Sequence, residues 1–248
     1  MKAIKRTIIS IIHAILENTH YRLRKYGEFS FLDMILEQLL VRNNTVFFIQ
    51  IGANDGKSFD PIYEFFNKYH QSVNGILLEP VKDYCDELRK NYEHINSVTI
   101  VNKAIHNTEK EMTIYRADPS KMSKEQLDTY AKGIASFNAE HHELSGTDGA
   151  SMIGEKVECI SLPELVKEHD VKEVDLLQID TEGYDSEIIL NIDFDAFKPK
   201  VISFEHGLPD GIMTQKKFDQ IRDLLHSHGY ELWVKHYDAI AYQSRIFH

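Results

Sequence analysis

The sequence predicts an α/β fold: a doubly wound, mostly parallel sheet with an antiparallel hairpin at its C-terminal end. Three observations carry this. From residue 46 onward, short continuous apolar runs alternate with segments of helical periodicity, the pattern of strands buried on both faces and helices packed over them. The first run, FFIQI (47–51), passes straight into the turn GANDG (52–56), and a glycine directly after a strand lets backbone approach backbone or ligand closely. The last two runs, YELWVKH (230–236) and AIAYQSRIF (239–247), are joined only by Tyr237-Asp238, as in a hairpin.

Taken in order, the elements divide into an N-terminal helical extension (1–44) and an α/β domain (45–248). Within residues 1–26, Lys2, Lys5, Arg6, Arg22, Arg24 and Lys25 stand against Glu17 alone. Ile4, Ile8, Ile11 (or Ile12) and Ile15 fall at helical spacing, so this is a basic amphipathic helix. It is expected to pack on the domain or to lie on an anionic membrane surface. Its apolar run, Ile8 to Leu16, is far short of the roughly 20 residues that span a bilayer. A processed signal peptide is the third reading, though no small-residue cleavage site marks one. A second amphipathic helix covers 29–42, and strand one covers 46–51. Asp60-Pro61 starts a helix reaching about His70, with the acid as cap and proline in the first turn. GILLEP (75–80) is strand two, VKDYCDELRKNYEH (81–94) a helix, VTIVNKAI (98–105) strand three, and EMTIYRA (111–117) a half-exposed strand.

Residues 118–155 break the rhythm. They are polar and carry Gly133, Gly146, Gly149 and Gly154, which suits a lid-like insertion over a binding site. Order returns with strand 156–162, helix 163–169, strand 174–180, helix 184–190 and strand 200–206. Helix 214–228 is closed by Gly229, a C-terminal cap.

Composition narrows the partners. The 248 residues carry a formal net charge of −11, which argues against nucleic acid. Cys85 and Cys159 form neither metal spacing nor a disulfide framework, so a reducing, cytoplasmic setting is expected.

Three strand ends carry acids. Glu79 closes strand two, 27 residues after Gly52, where a carboxylate can accept hydrogen bonds from ribose hydroxyls. Asp180 and Glu182 lie in QIDTEGYD, and Glu205 with His206 in SFEH. Both sets follow apolar runs and so fall at the carboxyl edge of the sheet, where ligands collect. Carboxylates converging there share a proton, engage a cation or hydrogen-bond a polar substrate. Helix capping by Asp180, with Glu182 in the first turn, is the alternative.

FIQIGANDGKSFDP, GILLEP, LLQIDTEGYD and ISFEH, with GIASF at 133–137, resemble the motifs of the FkbM family of S-adenosylmethionine-dependent methyltransferases, in its branch spelled IGANDG and DTEGYD. The resemblance runs from about Thr45 to Tyr242. It implies a class I methyltransferase (Rossmann-like) fold, S-adenosylmethionine as cofactor, and O-methyl transfer to a sugar, glycan or natural-product hydroxyl. It further implies that Gly52, Asn54, Asp55 and Gly56 form the loop under the methionine part of the cofactor. Glu79 would hold the ribose, and Ala104 and Ile105 would lie against the adenine. Asp180 and Glu182 would face the methyl and the acceptor, with Glu205 and His206 across the cleft. Ser136, in the lid-like insertion, is expected near the acceptor or the cofactor's methionine end. Gln50 stands where the family's first motif often has an acid. Asp180 is the expected base or acceptor-orienting group, with His206 the other candidate. A metal-assisted version would place Mg²⁺ on Asp180 and Glu205. The readings from other classes are a nicotinamide-dependent oxidoreductase, which the missing G-x-G-x-x-G disfavours, and a non-catalytic binding module.

Overall fold

The computed structural model describes residues 30–58, 60–123, 125–126, 131–144 and 147–247; the basic N-terminal helix lies outside them. Seven strands form the central sheet: β1 (Val46–Ile51), β2 (Val73–Leu78), β3 (Val98–Val101), β7 (Leu176–Ile179), β8 (Val201–Glu205), β9 (Tyr230–Lys235) and β10 (Asp238–Gln243). Their order is β3-β2-β1-β7-β8-β10-β9, parallel from β3 through β8 and antiparallel in the final hairpin. A smaller sheet, β4 (Ala104–Ile105), β5 (Glu111–Ala117) and β6 (Met152–Ile160), has the order β4-β6-β5.

Side chains that alternate along the central strands sort into two cores. Val46 and Phe48 of β1 pack under α1 (Phe31–Asn43), α2 (Tyr63–Lys68) and α3 (Lys82–Asn91). Ile49 and Ile51 pack under α4 (Leu162–Glu168), α5 (Asp185–Leu190) and α6 (Gln215–Ser227). The period-2 alternation of a strand thus supplies one face to each helical layer. The helix ends follow local chemistry. Ser30 caps α1 through the Asp33 amide, and Ser161 and Glu164 form a capping box on α4. Both satisfy amide groups that the first helical turn leaves without partners.

Several boundaries differ from the sequence reading. The run 98–105 is two strands, because Asn102 turns inward and its Nδ2 donates to the carbonyls of Glu79 (2.8 Å) and Pro80 (2.9 Å). That bond ends β3 and sends Ala104 and Ile105 into the smaller sheet. The helix at Asp60-Pro61 begins only at Tyr63; Asp60 instead closes a turn by accepting from the Ile62 amide (2.8 Å). Strand β6 begins at Met152, so the insertion is shorter than 118–155. It is also pinned at its middle, where Ser136 exchanges backbone hydrogen bonds with Tyr115 (2.8 and 3.0 Å). The hairpin turns at His236-Tyr237, with His236 in the left-handed region (φ 49°) and β10 starting at Asp238. Among the described residues no helix is long and apolar enough to cross a membrane.

Candidate active site

A cavity lies over the carboxyl ends of β1, β2 and β7. Gly52, Asn54, Glu79, Ala104, Ile105, Asp180 and Glu182 all line it. Gly52 has φ 80°, and a Cβ there would stand 1.7 Å from the Asp180 carbonyl oxygen, so the two loops touch backbone to backbone. Asn54 takes φ 50°, a conformation that asparagine tolerates better than most residues. Asp55 and Gly56 build the loop from behind and do not line the cavity. The Asp55 carboxylate accepts from the amides of Lys57 (3.0 Å) and Ser58 (2.7 Å) and from the Ser58 hydroxyl (2.7 Å). Gly56 packs on Leu88 and Tyr92.

Glu79 is buried. One carboxylate oxygen accepts from the Asn54 amide (2.8 Å) and the other from the Val81 amide (2.7 Å). Burial nonetheless pushes its pKa up to about 7, against the pull of those two amides. Each oxygen keeps a further lone pair, and both belong to a residue on the cavity wall.

Deeper along β1 and β7, Gln50 and Gln178 are register neighbours. Both are buried and both line the cavity. Gln50 Nε2 donates to Asp60 (3.1 Å), while the Oε1 atoms of Gln50 and Gln178 have no protein donor among the described residues. Burial holds the Asp60 carboxyl up at about 6. Two buried acceptor oxygens without donors are costly. Their presence on the wall of a cavity suits a ligand that brings N–H donors there, such as an α-ammonium group.

The second acidic centre is the turn after β7. Asp180, Glu182 and Glu205 each offer a carboxylate oxygen, and these oxygens all lie within 4.8 Å of one another. Burial, and then Glu182, Asp185 and Glu205, raise the Asp180 pKa well above the ordinary carboxylate value. Glu205 is pushed to about 8 by burial and by Glu182, and its Oε2 is buried without a donor. Like charges this close oppose one another's ionisation, which adds to burial in raising Asp180 and Glu205. Asp185, which the sequence reading quoted but gave no role, organises them. It is buried and accepts from the Thr181 amide (3.0 Å), the Thr181 hydroxyl and the Glu205 amide (3.1 Å). It thereby ties the β7 turn to the end of β8. Its place as the last acid of DTEGYD was the available signal.

Glu182 sits in the left-handed region (φ 52°) and pairs with His141 Nε2 at 2.8 Å. Its carbonyl accepts from the Ser136 hydroxyl (2.6 Å). Ser136 therefore anchors the insertion to the acidic turn, and it lines a second, adjoining cavity rather than the first. His141 gave no sequence signal: its partner is 41 residues away.

His206 is not brought to either cavity. Its ring packs edge-on to Phe218 at 5.2 Å, and its Nδ1 accepts from the Leu208 amide (3.1 Å). That bond assigns the proton to Nε2, which is buried with no acceptor among the described residues. Burial lowers its pKa. With one nitrogen engaged and the other protonated, the ring has no lone pair to offer a substrate.

Comparison with known proteins adds three findings. No protein of curated function matches the sequence significantly. Among solved structures, the METTL16 methyltransferase domain (crystal form 2) aligns at TM-score 0.47 and 11% identity, over 95% of this chain and 79% of that one. A precorrin-6y C5,15-methyltransferase from Geobacter metallireducens GS-15 aligns at 0.40 and 13%, over 90% and 94%. Residues 50–232 match the family model described as "Methyltransferase FkbM domain", a span that runs from Gln50 in β1 to Leu232 in β9 and takes in both acidic centres. On that match the chain belongs to the FkbM methyltransferase family.

Proposed function

We propose that this protein transfers a methyl group from S-adenosylmethionine to a hydroxyl oxygen of a sugar, glycan or natural-product acceptor. The family implies the methyl donor; what supports an oxygen acceptor is the acidic turn beside the cavity. When bound, S-adenosylmethionine supplies an electrophilic methyl on a sulfonium. The chain's own residues do the rest. Glu79 keeps lone pairs for ribose hydroxyls while holding the Asn54 amide. The orphaned oxygens of Gln50 and Gln178 receive the ammonium, and Ala104 and Ile105 give the adenine an apolar wall.

At the other end, methyl transfer to oxygen requires in-line placement and loss of the hydroxyl proton. Asp180 takes that proton. Burial and the neighbouring acids raise its proton affinity above that of an ordinary carboxylate, which suits it to accept that proton, and they raise Glu205 in the same way. Glu182 orients the hydroxyl. With the cofactor bound, Asp180 would be the group that receives the hydroxyl proton as the methyl is transferred.

A second reading has one observation behind it. The mutual spacing of the Asp180, Glu182 and Glu205 oxygens suits a divalent cation, which would lower the hydroxyl pKa in place of a base. Incubation with labelled methyl donor and chelator separates the two. Activity that survives chelation supports the carboxylate base, and loss restored by Mg²⁺ supports the cation. Absence of both cofactor binding and transfer would sink the proposal.

A further inference from the structure

The second cavity, about 450 Å³, shares Glu182 and Phe137 with the first. Its wall combines two chemistries. One is aromatic: the Tyr184 ring stacks on His106 (centroids 5.2 Å, 16°), and Phe137 stands edge-on to both at 5.4 and 6.0 Å. The other is acidic: Glu140 and Glu143, both exposed, project from the insertion beside Glu182. No lysine or arginine is among its described lining residues.

From this arrangement, and resting on the methyltransferase reading, we infer that the second cavity is the acceptor subsite. We infer further that Glu140 and Glu143 set its specificity: it admits neutral or amino-bearing polyhydroxylated acceptors and rejects anionic ones. Glu182 and Phe137 line both cavities, so a cofactor held in the first would meet an acceptor entering from the second at Glu182. A ring with one apolar C–H face and several hydroxyls matches a wall of aromatic rings and carboxylate acceptors. An acceptor with its own carboxylate or phosphate would bring like charge against Glu140, Glu143 and Glu182. At partly exposed spacing, each such contact disfavours binding on the order of tenfold. His141, already paired with Glu182, offers little compensation.

The test uses the full chain, labelled S-adenosylmethionine, and a water-soluble oligosaccharide extract divided by anion exchange into unretained and retained pools. Wild-type protein should label the unretained pool at least tenfold more per mole of sugar. The double variant Glu140→Lys/Glu143→Lys should shift that ratio toward the retained pool by tenfold or more, with the affinity for S-adenosylhomocysteine unchanged by calorimetry. Wild-type labelling of the retained pool, or an unchanged ratio in the variant, overturns the inference. So does labelling of neither pool by a protein that binds S-adenosylhomocysteine, an outcome that leaves the methyltransferase reading standing. Failure to bind S-adenosylhomocysteine would instead overturn that underlying reading. Both substituted residues are exposed, so folding is not at stake.

Discussion

Glu79 and Asp180 end at the two strands that flank β1, and burial raises the proton affinity of both carboxylates. Their surroundings differ in kind. Each oxygen of Glu79 is met by a backbone amide, one from the glycine loop and one from the start of α3. Asp180 is met by other acids, while the Thr181 and Glu205 amides donate to Asp185. A carboxylate satisfied by fixed amides holds a loop and can add a ligand's hydroxyls without rearranging. A carboxylate crowded by like charge binds a proton more tightly than an ordinary one, which suits it to take one from an acceptor. On the proposed function, one sheet edge carries a holding site and a reacting site, built from the same functional group.

The contrast is open to attack at several points. The largest effect is expected for Asp180→Asn, which keeps the shape and removes the proposed base. Turnover with labelled methyl donor should fall on the order of 10²–10⁴-fold, with S-adenosylhomocysteine affinity within a few-fold of wild type. A variant that keeps most of its activity would move the base elsewhere. Glu79→Ala should do the reverse, weakening cofactor binding by roughly 1.5–3 kcal/mol in calorimetry and lowering Tm as the Asn54 and Val81 amides lose their acceptor. Unchanged affinity would remove Glu79 from the ribose.

A pH experiment on the reacting site follows from Glu205. Its folded pKa, about 8, lies above the ordinary 4.5, so between those values the folded chain binds more protons than the unfolded one. Its contribution to stability is therefore full at about pH 4.5 and below, and is lost as pH rises toward 8. Glu205→Gln should stabilise the protein by roughly 1–3 kcal/mol at pH 8, with the difference from wild type shrinking toward pH 5. Thermal melts across that range check it, and parallel curves for the two proteins would contradict it. The smallest effect is expected for Ser136→Ala, which removes the hydroxyl bond to the Glu182 carbonyl and the bond from the Asn138 amide. A loss of about 1–2 kcal/mol should appear as faster hydrogen exchange across residues 134–144. Unaltered exchange would show that the Tyr115 pairing alone secures the insertion.

What could be read without coordinates was whatever burial writes into local pattern. The runs FFIQI, GILL, LLQI and VISFE are β1, β2, β7 and β8 with at most a few residues' shift, because a strand covered on both faces must be apolar throughout. The acids at their ends are legible for the same reason, since the point where the apolar run stops is the point where the chain leaves the core. What the tertiary structure alone decided depends on partners distant in sequence. Asn102 breaks a continuous apolar run only because the carbonyls of Glu79 and Pro80 stand beside it. Gln50 and Gln178 become a pair of orphaned acceptors only because β1 and β7 are neighbours in this register. His206 follows an apolar run as Glu205 does, yet the two-residue alternation of the strand sends its ring against Phe218, away from the acids. Periodicity records which side chains are buried, while register and topology decide which of them meet.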